Sequence, residues 1–204
     1  GFNGHAGESS PSNFTPSTSK LTAITNTKLL TCQSNRLIDN SASGHTVTPS
    51  GGAAVSAFGP FLTNAVYDPA VNGASAFFDG NVDRLHTPED ASTRVAASNF
   101  TFEAWVYPTT TTSANDMIFT QGAPGVYSPF NVYIVGTTVR IYISTNGSSW
   151  NIASNSTSSN SVQINAWNHI ALVRNGTTIG LYINGVADNT YAVSTTAFFT
   201  PTRE

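Results

Sequence analysis

From about residue 28 onward, short apolar runs alternate with clusters of turn-forming residues. Windows such as "FTFEAWVYP" and "TVRIYIST" place apolar side chains at every second position, which is the period of a β-strand, and "FNVYIVG" is a further candidate strand. Asn-Gly pairs at 146–147, 175–176 and 184–185 favour the positive backbone angles of tight hairpin turns. No window carries a convincing helical stripe, so the pattern predicts an all-β protein of many short strands.

Alternation within single strands predicts one packed face and one polar, aromatic face. In "TVRIYIST", Val139, Ile141 and Ile143 should point inward, because they alternate with Arg140 and Tyr142. The strand "FTFEAWVYP" divides in the same way, with Phe100, Phe102, Ala104 and Val106 inward and Thr101, Glu103, Trp105 and Tyr107 outward. One buried and one solvated face per strand favours a two-sheet antiparallel β-sandwich.

The stretch "AWNHIALVRNGTTIGLYINGV" (166–186) predicts a central β-meander. Residues 170–173 are apolar on both sides of the strand, as expected of a strand with neighbours on each side. His169 and Arg174 are the two side chains that a catalytic interpretation would pair. They lie an odd number of residues apart, so a regular strand directs them to opposite faces, which argues against a joint site.

Composition narrows the class of protein. Charged residues make up 9% of the chain, well below the roughly 25% of an average soluble domain. Ser, Thr, Asn and Gly take their place, which is typical of extracellular and particle-surface β proteins. The net charge of −3 and the scattered Lys and Arg argue against a nucleic-acid or anionic-membrane partner. No apolar run reaches the roughly 18 residues of a membrane-spanning helix, so we expect no membrane insertion.

Composition also divides the chain into two parts. Residues 1–27 are rich in Ser, Thr, Asn and Pro and lack apolar periodicity, which predicts a linker or extended arm. Residues 28–204 carry the strand pattern and are expected to form the sandwich.

Four motifs in order resemble the laminin G-like, concanavalin A-like jelly-roll domain. They are "FFDGNVDRLHTPED", "FTFEAWVYP", "AWNHIALVR" and "GLYINGV". The resemblance implies the same two-sheet antiparallel sandwich. The family usually closes with a further strand pair after the last of these motifs, whereas this chain ends at "AFFTPTRE". We therefore expect either a truncated chain or another segment or subunit that completes the sheet.

The segment "LLTCQSNRLIDNS" (29–41) resembles one that precedes such jelly rolls in structural proteins of tailed phages. This resemblance implies a virion-surface protein, either a capsid decoration or fibre protein or a tail-fibre module. Its partners would be other virion chains and host cell-surface glycans. A homo-oligomer stays open, although no heptad repeat supports a trimeric fibre. The alternative is a secreted carbohydrate-binding adhesin or lectin domain.

Catalysis is not expected. Glycoside hydrolysis needs two carboxyl groups flanking the scissile bond, and Glu103 is the only acid in its aromatic strand. The sequence contains neither zinc-ligand spacing nor a nucleophile-elbow motif. We therefore predict a non-enzymatic protein that needs no cofactor.

Two sets of residues are candidates for binding. Carbohydrate sites combine exposed rings with amide and hydroxyl groups, which favours the aromatic side chains of Trp150, Tyr127, Tyr107 and Tyr142. Packing against neighbouring strands is the alternative role for each ring. Asp79 and Asp83 have a spacing that suits Ca²⁺. In this family, however, the resemblance implies mainly a turn, with Asp83 accepting backbone amides.

Overall fold

The computed structural model describes residues 12–62, 66–95, 97–111, 114–122, 127–195 and 197–200. Contacts divide the chain into two compact units, one of Ser17–Thr93 and a second that joins residues up to Pro16 to the chain from Arg94 onward. The predicted division into an arm over 1–27 and a sandwich over 28–204 stays a prediction, and residues 1–11 of that arm lie outside the described part.

The first unit contains short elements. Strands β1 (Thr48–Ser50) and β4 (Arg84–His86) form one antiparallel pair, and β2 (Ala54–Ser56) and β3 (Ser75–Phe77) form another. A single helical turn, α1, and a 3₁₀ turn complete the unit; they comprise Pro69–Asn72 and Ala91–Thr93.

The second unit contains two four-stranded antiparallel sheets. Sheet I has the order β12-β11-β10-β5, and sheet II has the order β6-β7-β8-β9. The strands of sheet I are β5 (Phe100–Val106), β10 (Asn168–Asn175), β11 (Thr178–Ile183) and β12 (Val186–Ala192). Those of sheet II are β6 (Asp116–Thr120), β7 (Phe130–Val135), β8 (Thr138–Ile143) and β9 (Ala153–Ser161). The predicted all-β, antiparallel β-sandwich is confirmed.

The core lies between the inner faces of the two sheets. Sheet I contributes Ile170, Leu172, Ile179, Leu181 and Ile183, and sheet II contributes Phe130, Val132, Ile134, Val139, Ile141 and Ile143. These residues occupy every second position of their strands, and the inward sets predicted for β8 (Val139, Ile141, Ile143) and β11 (Ile179, Leu181, Ile183) are confirmed. Burying a side chain of this kind contributes roughly 1.5–3 kcal/mol.

One side of the sandwich is closed by contacts between β9 and β12. The carboxylate of Asp188 accepts hydrogen bonds from the backbone amides of Ser159 (3.0 Å) and Asn160 (2.7 Å). Tyr191 also donates its hydroxyl proton to Ser156 Oγ at 2.9 Å. The two Asp188 bonds satisfy edge amides of β9 that a free edge would leave exposed.

Three turns test the Asn-Gly predictions. Asn184 and Gly185 both have positive φ (53° and 78°) and join β11 to β12, as predicted. The β10–β11 turn consists of Gly176 and Thr177, so Asn175 is the last residue of its strand rather than a turn residue. At 146–147, Gly147 has the expected positive φ of 69°, but the tight turn is wrong, because a loop over 144–152 joins the antiparallel strands β8 and β9.

Other differences are local. The predicted strand "KLLTCQ" (28–33) is irregular, and Cys32 has a positive φ of 63° that a strand does not tolerate. Among the described residues, no helix is long and apolar enough to cross a membrane.

Candidate functional site

The outer surface of sheet II, here called the open face, carries a connected row of aromatic rings. Tyr127 lies 5.1 Å from Trp150, Trp150 lies 5.2 Å from Tyr142, and Tyr142 lies 6.0 Å from Tyr133, measured between ring centroids. We call these four residues the aromatic strip. Tyr127 is 40% exposed and the other three are half-buried, so the strip packs on the sheet and still reaches solvent.

The β7–β8 hairpin sets the middle of the strip. Its turn at Gly136 and Thr137 places Tyr133 opposite Arg140 and Asn131 opposite Tyr142. All four side chains alternate with core residues, so they lie on the outer face. Directly opposed residues have Cβ atoms about 4.5–5.5 Å apart, which explains why polar and aromatic groups meet here.

The loop over 144–152 positions Trp150. Asn146 Oδ1 accepts hydrogen bonds from the amides of Ser148 and Ser149, each at 3.0 Å. Across the loop, Asn151 accepts from the amide of Thr145 at 2.9 Å and donates to its hydroxyl at 2.8 Å. Asn side chains make such local turns because their oxygen reaches amides two or three residues on. The loop therefore holds the indole ring against Tyr142.

Polar groups border the rings. The Tyr142 hydroxyl donates to Asn155 Oδ1 at 3.2 Å, and Thr120 Oγ1 donates to Asn131 Oδ1 at 2.5 Å. Burial raises the pKa of Tyr133 above its ordinary value, an effect that the Asn131 hydrogen bond partly offsets. Rings, hydroxyls and amides therefore lie together on the outer side of sheet II, where Asn131 itself is only 3% exposed.

Tyr107, the fourth aromatic candidate from the sequence, is not part of this strip. It follows β5, and its ring packs on that of Trp167 at 5.4 Å between centroids. The structure thus brings together Tyr127, Tyr142 and Trp150 and adds Tyr133, which the sequence interpretation missed.

The outer surface of sheet I, here called the covered face, contains an ionisable pair. His169 Nε2 lies 3.2 Å from Glu103 Oε2, with the side chains 3% and 19% exposed. The Trp105 ring packs on the imidazole at 5.2 Å between centroids. The second nitrogen, His169 Nδ1, is buried without a hydrogen-bond partner among the described atoms. The imidazole is therefore enclosed by rings, whereas the carboxylate stays partly exposed.

The segment with Asn13 and Phe14, which precedes the first unit in the sequence, packs on the imidazole of His169. The Phe14 ring lies 5.7 Å from the His169 ring and 5.3 Å from the Tyr182 ring, measured between centroids. Its amide donates to Gly185 O at 2.8 Å, and Asn13 Oδ1 accepts from the amide of Ala187 at 2.9 Å. The segment is thus anchored at the β11–β12 turn, with its aromatic ring over the pair.

Arg174 lies on the opposite side of sheet I from His169, as strand parity predicted. Its side chain donates to Gly176 O at 3.1 Å and Ser194 O at 3.0 Å, and its guanidinium lies 5.3 Å from the centre of the Phe198 ring. The residue is 1% exposed. It therefore stabilises the end of the sandwich and forms no site with His169.

Asp79 and Asp83 form a turn. Asp83 accepts hydrogen bonds from the amides of Asp79 and Gly52, and Asp79 Oδ1 accepts from the amide of Asn81 at 2.8 Å. The hydrogen bond from the Asp79 amide is the main reason that the pKa of the Asp83 carboxyl lies below its ordinary value. The carboxylates are engaged as the turn interpretation expected, and no group of three His, Cys, Asp or Glu side chains suited to a metal occurs among the described residues.

A laminin G family model described as the concanavalin A-like lectin/glucanases superfamily matches residues 79–204, more than half of the chain. The chain belongs to this superfamily. The match covers both four-stranded sheets and the aromatic strip, so the resemblance carried by the four motifs is confirmed. No curated protein matches the sequence.

Two solved structures share the superfamily fold. The binding domain of botulinum neurotoxin serotype D/C VPI 5993 has a TM-score of 0.50 and 14% identity, over 80% of this chain and 38% of that chain. A tryptophan-to-alanine mutant of HCR D/C VPI 5995 has the same TM-score and identity, over 82% and 41%. This chain thus spans about two fifths of each solved chain, and likeness at this identity concerns the fold alone.

The sequence of this chain does contain a signal that could have placed Tyr133 in the strip. In "FNVYIVGTTVRIYI", Gly136 and Thr137 mark a two-residue turn, and residues equally distant from it become neighbours. That rule pairs Tyr133 with Arg140. Alternation alone placed Arg140 and Tyr142 outward but did not connect them to the next strand.

Proposed function

We propose that this protein is a non-enzymatic carbohydrate-binding module and that the aromatic strip on the open face is its binding surface. The observation that carries the proposal is the meeting of Tyr127, Tyr142 and Trp150 from three separate segments, bordered by amide and hydroxyl groups. Sugar rings have apolar faces that pack on aromatic side chains and hydroxyl groups that exchange hydrogen bonds with amides. Membership of a lectin and glucanase superfamily supports the same role.

A binding role fits better than catalysis. Glu103 is paired with His169 under the Phe14 ring, and no second acid joins them among the described residues. Hydrolysis of a glycosidic bond by paired carboxyls needs both groups at the substrate. The name of the similar toxin structure, a binding domain, accords with this proposal.

The experiment is a glycan array followed by calorimetric titration of each hit. Trp150→Ala should weaken binding by about tenfold or more, because it removes the ring that lies between Tyr127 and Tyr142. A tenfold change in affinity corresponds to roughly 1.4 kcal/mol. Tyr107→Ala is the matched control, because it removes a half-buried ring that packs on Trp167 away from the strip. Thermal melts of both variants separate loss of binding from loss of fold. If Trp150→Ala binds the saccharide as tightly as Tyr107→Ala does, the aromatic strip is not the binding surface.

For the biological setting, we propose the surface of a tailed-phage virion, as a decoration, fibre or tail-fibre protein that contacts other virion chains and host glycans. The segment over 29–41 supports this setting through its resemblance to phage structural proteins. Weak sites repeated on a particle gain avidity, which suits a shallow aromatic surface. Mass spectrometry of purified particles should find the protein at stoichiometric copy number. Its absence there would favour the alternative, a secreted adhesin or lectin domain.

A further inference from the structure

Arg140 lies in the middle of the open face, and no carboxylate in the described part of the chain is its partner. Its Nη1 donates to Asn115 Oδ1 at 3.1 Å, and its Nε is buried with no hydrogen-bond partner among the described atoms. No acidic side chain in the described part of the chain forms an ion pair with it. A guanidinium has five donors and is always charged at neutral pH, so one hydrogen bond to a neutral amide leaves most of its capacity unused.

The residues around Arg140 do not compensate its charge. Tyr133 lies opposite it on β7, and Thr157 lies opposite it on β9. On β6, Met117 lies opposite Tyr133, whereas Asp116 lies opposite the inward-facing Ile134. The register therefore surrounds Arg140 with uncharged groups on the open face. In a protein with a net charge of −3, this makes it a local positive centre.

The guanidinium also adjoins the aromatic strip. Arg140 and Tyr142 are two residues apart on the same face of β8, a separation of about 7 Å along a strand. Tyr133, the cross-strand neighbour of Arg140, lies 6.0 Å from Tyr142 between ring centroids. A saccharide lying on the strip toward Tyr133 would thus bring its edge to the guanidinium.

We infer that the open face selects anionic saccharides, with Arg140 pairing an acidic group of the sugar while the rings contact its apolar surface. This inference rests on the proposed carbohydrate-binding function and specifies its ligand class. A carboxylate or sulfate accepts two parallel N–H bonds from a guanidinium, and such charge-assisted pairs are about twice as strong as neutral ones. Arg140 would then be the residue that determines specificity, and Trp150 the one that supplies contact common to all sugars.

The test compares three oligosaccharides that share one backbone: a neutral form, a form carrying a carboxylate and a form carrying a sulfate ester. We expect the wild-type chain to bind at least one anionic form about tenfold or more tightly than the neutral form, with an affinity that falls as salt is raised. Arg140→Gln should abolish this preference, so that the anionic forms bind no more tightly than the neutral form does to the same variant. The two anionic arms identify which acidic group is bound.

Two variants control this experiment. Arg84→Gln removes an exposed guanidinium from β4 of the first unit and should leave the preference intact. Arg140→Lys keeps the charge without the bidentate fork, so it should retain only part of the preference. Equal binding of all three sugars, or a preference that survives Arg140→Gln, would overturn the inference. In that case, binding lost on Trp150→Ala would still uphold the carbohydrate function, whereas no binding of any saccharide would defeat both.

Discussion

The two outer faces of the sandwich differ in their chemistry and in which of their side chains reach solvent. On the covered face, the His169–Glu103 pair has residue types that catalysis uses, but the rings of Phe14 and Trp105 pack on the imidazole, which is 3% exposed. On the open face, the described residues include the Arg140 guanidinium and the four rings of the aromatic strip, of which Tyr127 is 40% exposed. The rings and the guanidinium of the open face keep surface and hydrogen-bond donors that no described residue occupies. The side chains of the covered face are largely packed or hydrogen-bonded within the chain.

This difference shows why residue type alone is a poor guide to a site. An acid–base pair whose imidazole is packed between rings mainly stabilises the fold, because the imidazole offers a substrate almost no accessible surface. Half-buried rings and a guanidinium without an acidic partner are less conspicuous in a sequence. They nevertheless retain the surface and the hydrogen-bond donors that a ligand needs.

The largest expected effect comes from uncovering the covered face with Gly185→Ala. A Cβ at this position would overlap Phe14 O and lie 2.8 Å from Pro16 Cδ, and φ is 78°. We expect a loss of about 3 kcal/mol in the free energy of unfolding, combining backbone strain with lost contacts of the Phe14 segment. Hydrogen exchange should show faster exchange of the Phe14 amide, with saccharide binding unchanged.

Gly176→Ala is the matched control for that variant. Its φ of 59° gives comparable backbone strain, but a Cβ there meets nothing within 4 Å. It should cost about 1–2 kcal/mol and leave the Phe14 amide protected. Equal stability losses and equal exchange in the two variants would show that the Phe14 segment contributes nothing to the covered face.

A smaller effect is expected from Glu103→Gln. The amide keeps an oxygen near His169 Nε2 and loses only the charge, and charge-assisted bonds exceed neutral ones by about 1 kcal/mol. Chemical denaturation should show a decrease of that size in unfolding free energy, and saccharide binding should be unaffected. A polysaccharide hydrolysis that the wild-type chain performs and this variant loses would instead make the covered face catalytic.

The smallest effect concerns alkaline pH. Burial raises the pKa of Tyr182 on the covered face, so the folded-state pKa lies above the roughly 10 of an unfolded tyrosine. The stability it contributes is complete below that pH and is lost as pH rises through the folded-state pKa. Phe14→Ala should return water to the ring and lower this pKa.

Ultraviolet titration of tyrosinate measures that change, with Tyr182→Phe assigning the signal. Tyr133, whose pKa burial also raises, lies on the open face and should titrate unchanged in Phe14→Ala. A shift of both tyrosines would contradict the independence of the two faces.

Much of the fold was predictable from local rules. The parity of Val139, Ile141 and Ile143 gave the inner face of β8, and that of His169 and Arg174 separated two side chains that look like partners. The turn at Asn184–Gly185 followed from its residue types. The loop holding Trp150 did not, because Asn146 uses its side chain to bind Ser148 and Ser149 rather than forming a two-residue hairpin.

The candidate site was predictable only in part. Tyr127, Tyr142 and Trp150 were identified as rings with polar neighbours, but Tyr107 has the same appearance in the sequence and lies on Trp167 instead. Which rings meet depends on strand register and loop path, and both are non-local.

By itself, the sequence determined the fold class, the inward and outward positions of the main strands and the superfamily, because these depend on a period of two and on short motifs. Only the tertiary structure decided which face is covered. Phe14 is far in sequence from His169 and Tyr182, and its position depends on Gly185 leaving room for the Phe14 backbone. Long-range packing of this kind does not appear in the hydrophobic pattern of the sequence. It nevertheless decides which polar groups a ligand can reach.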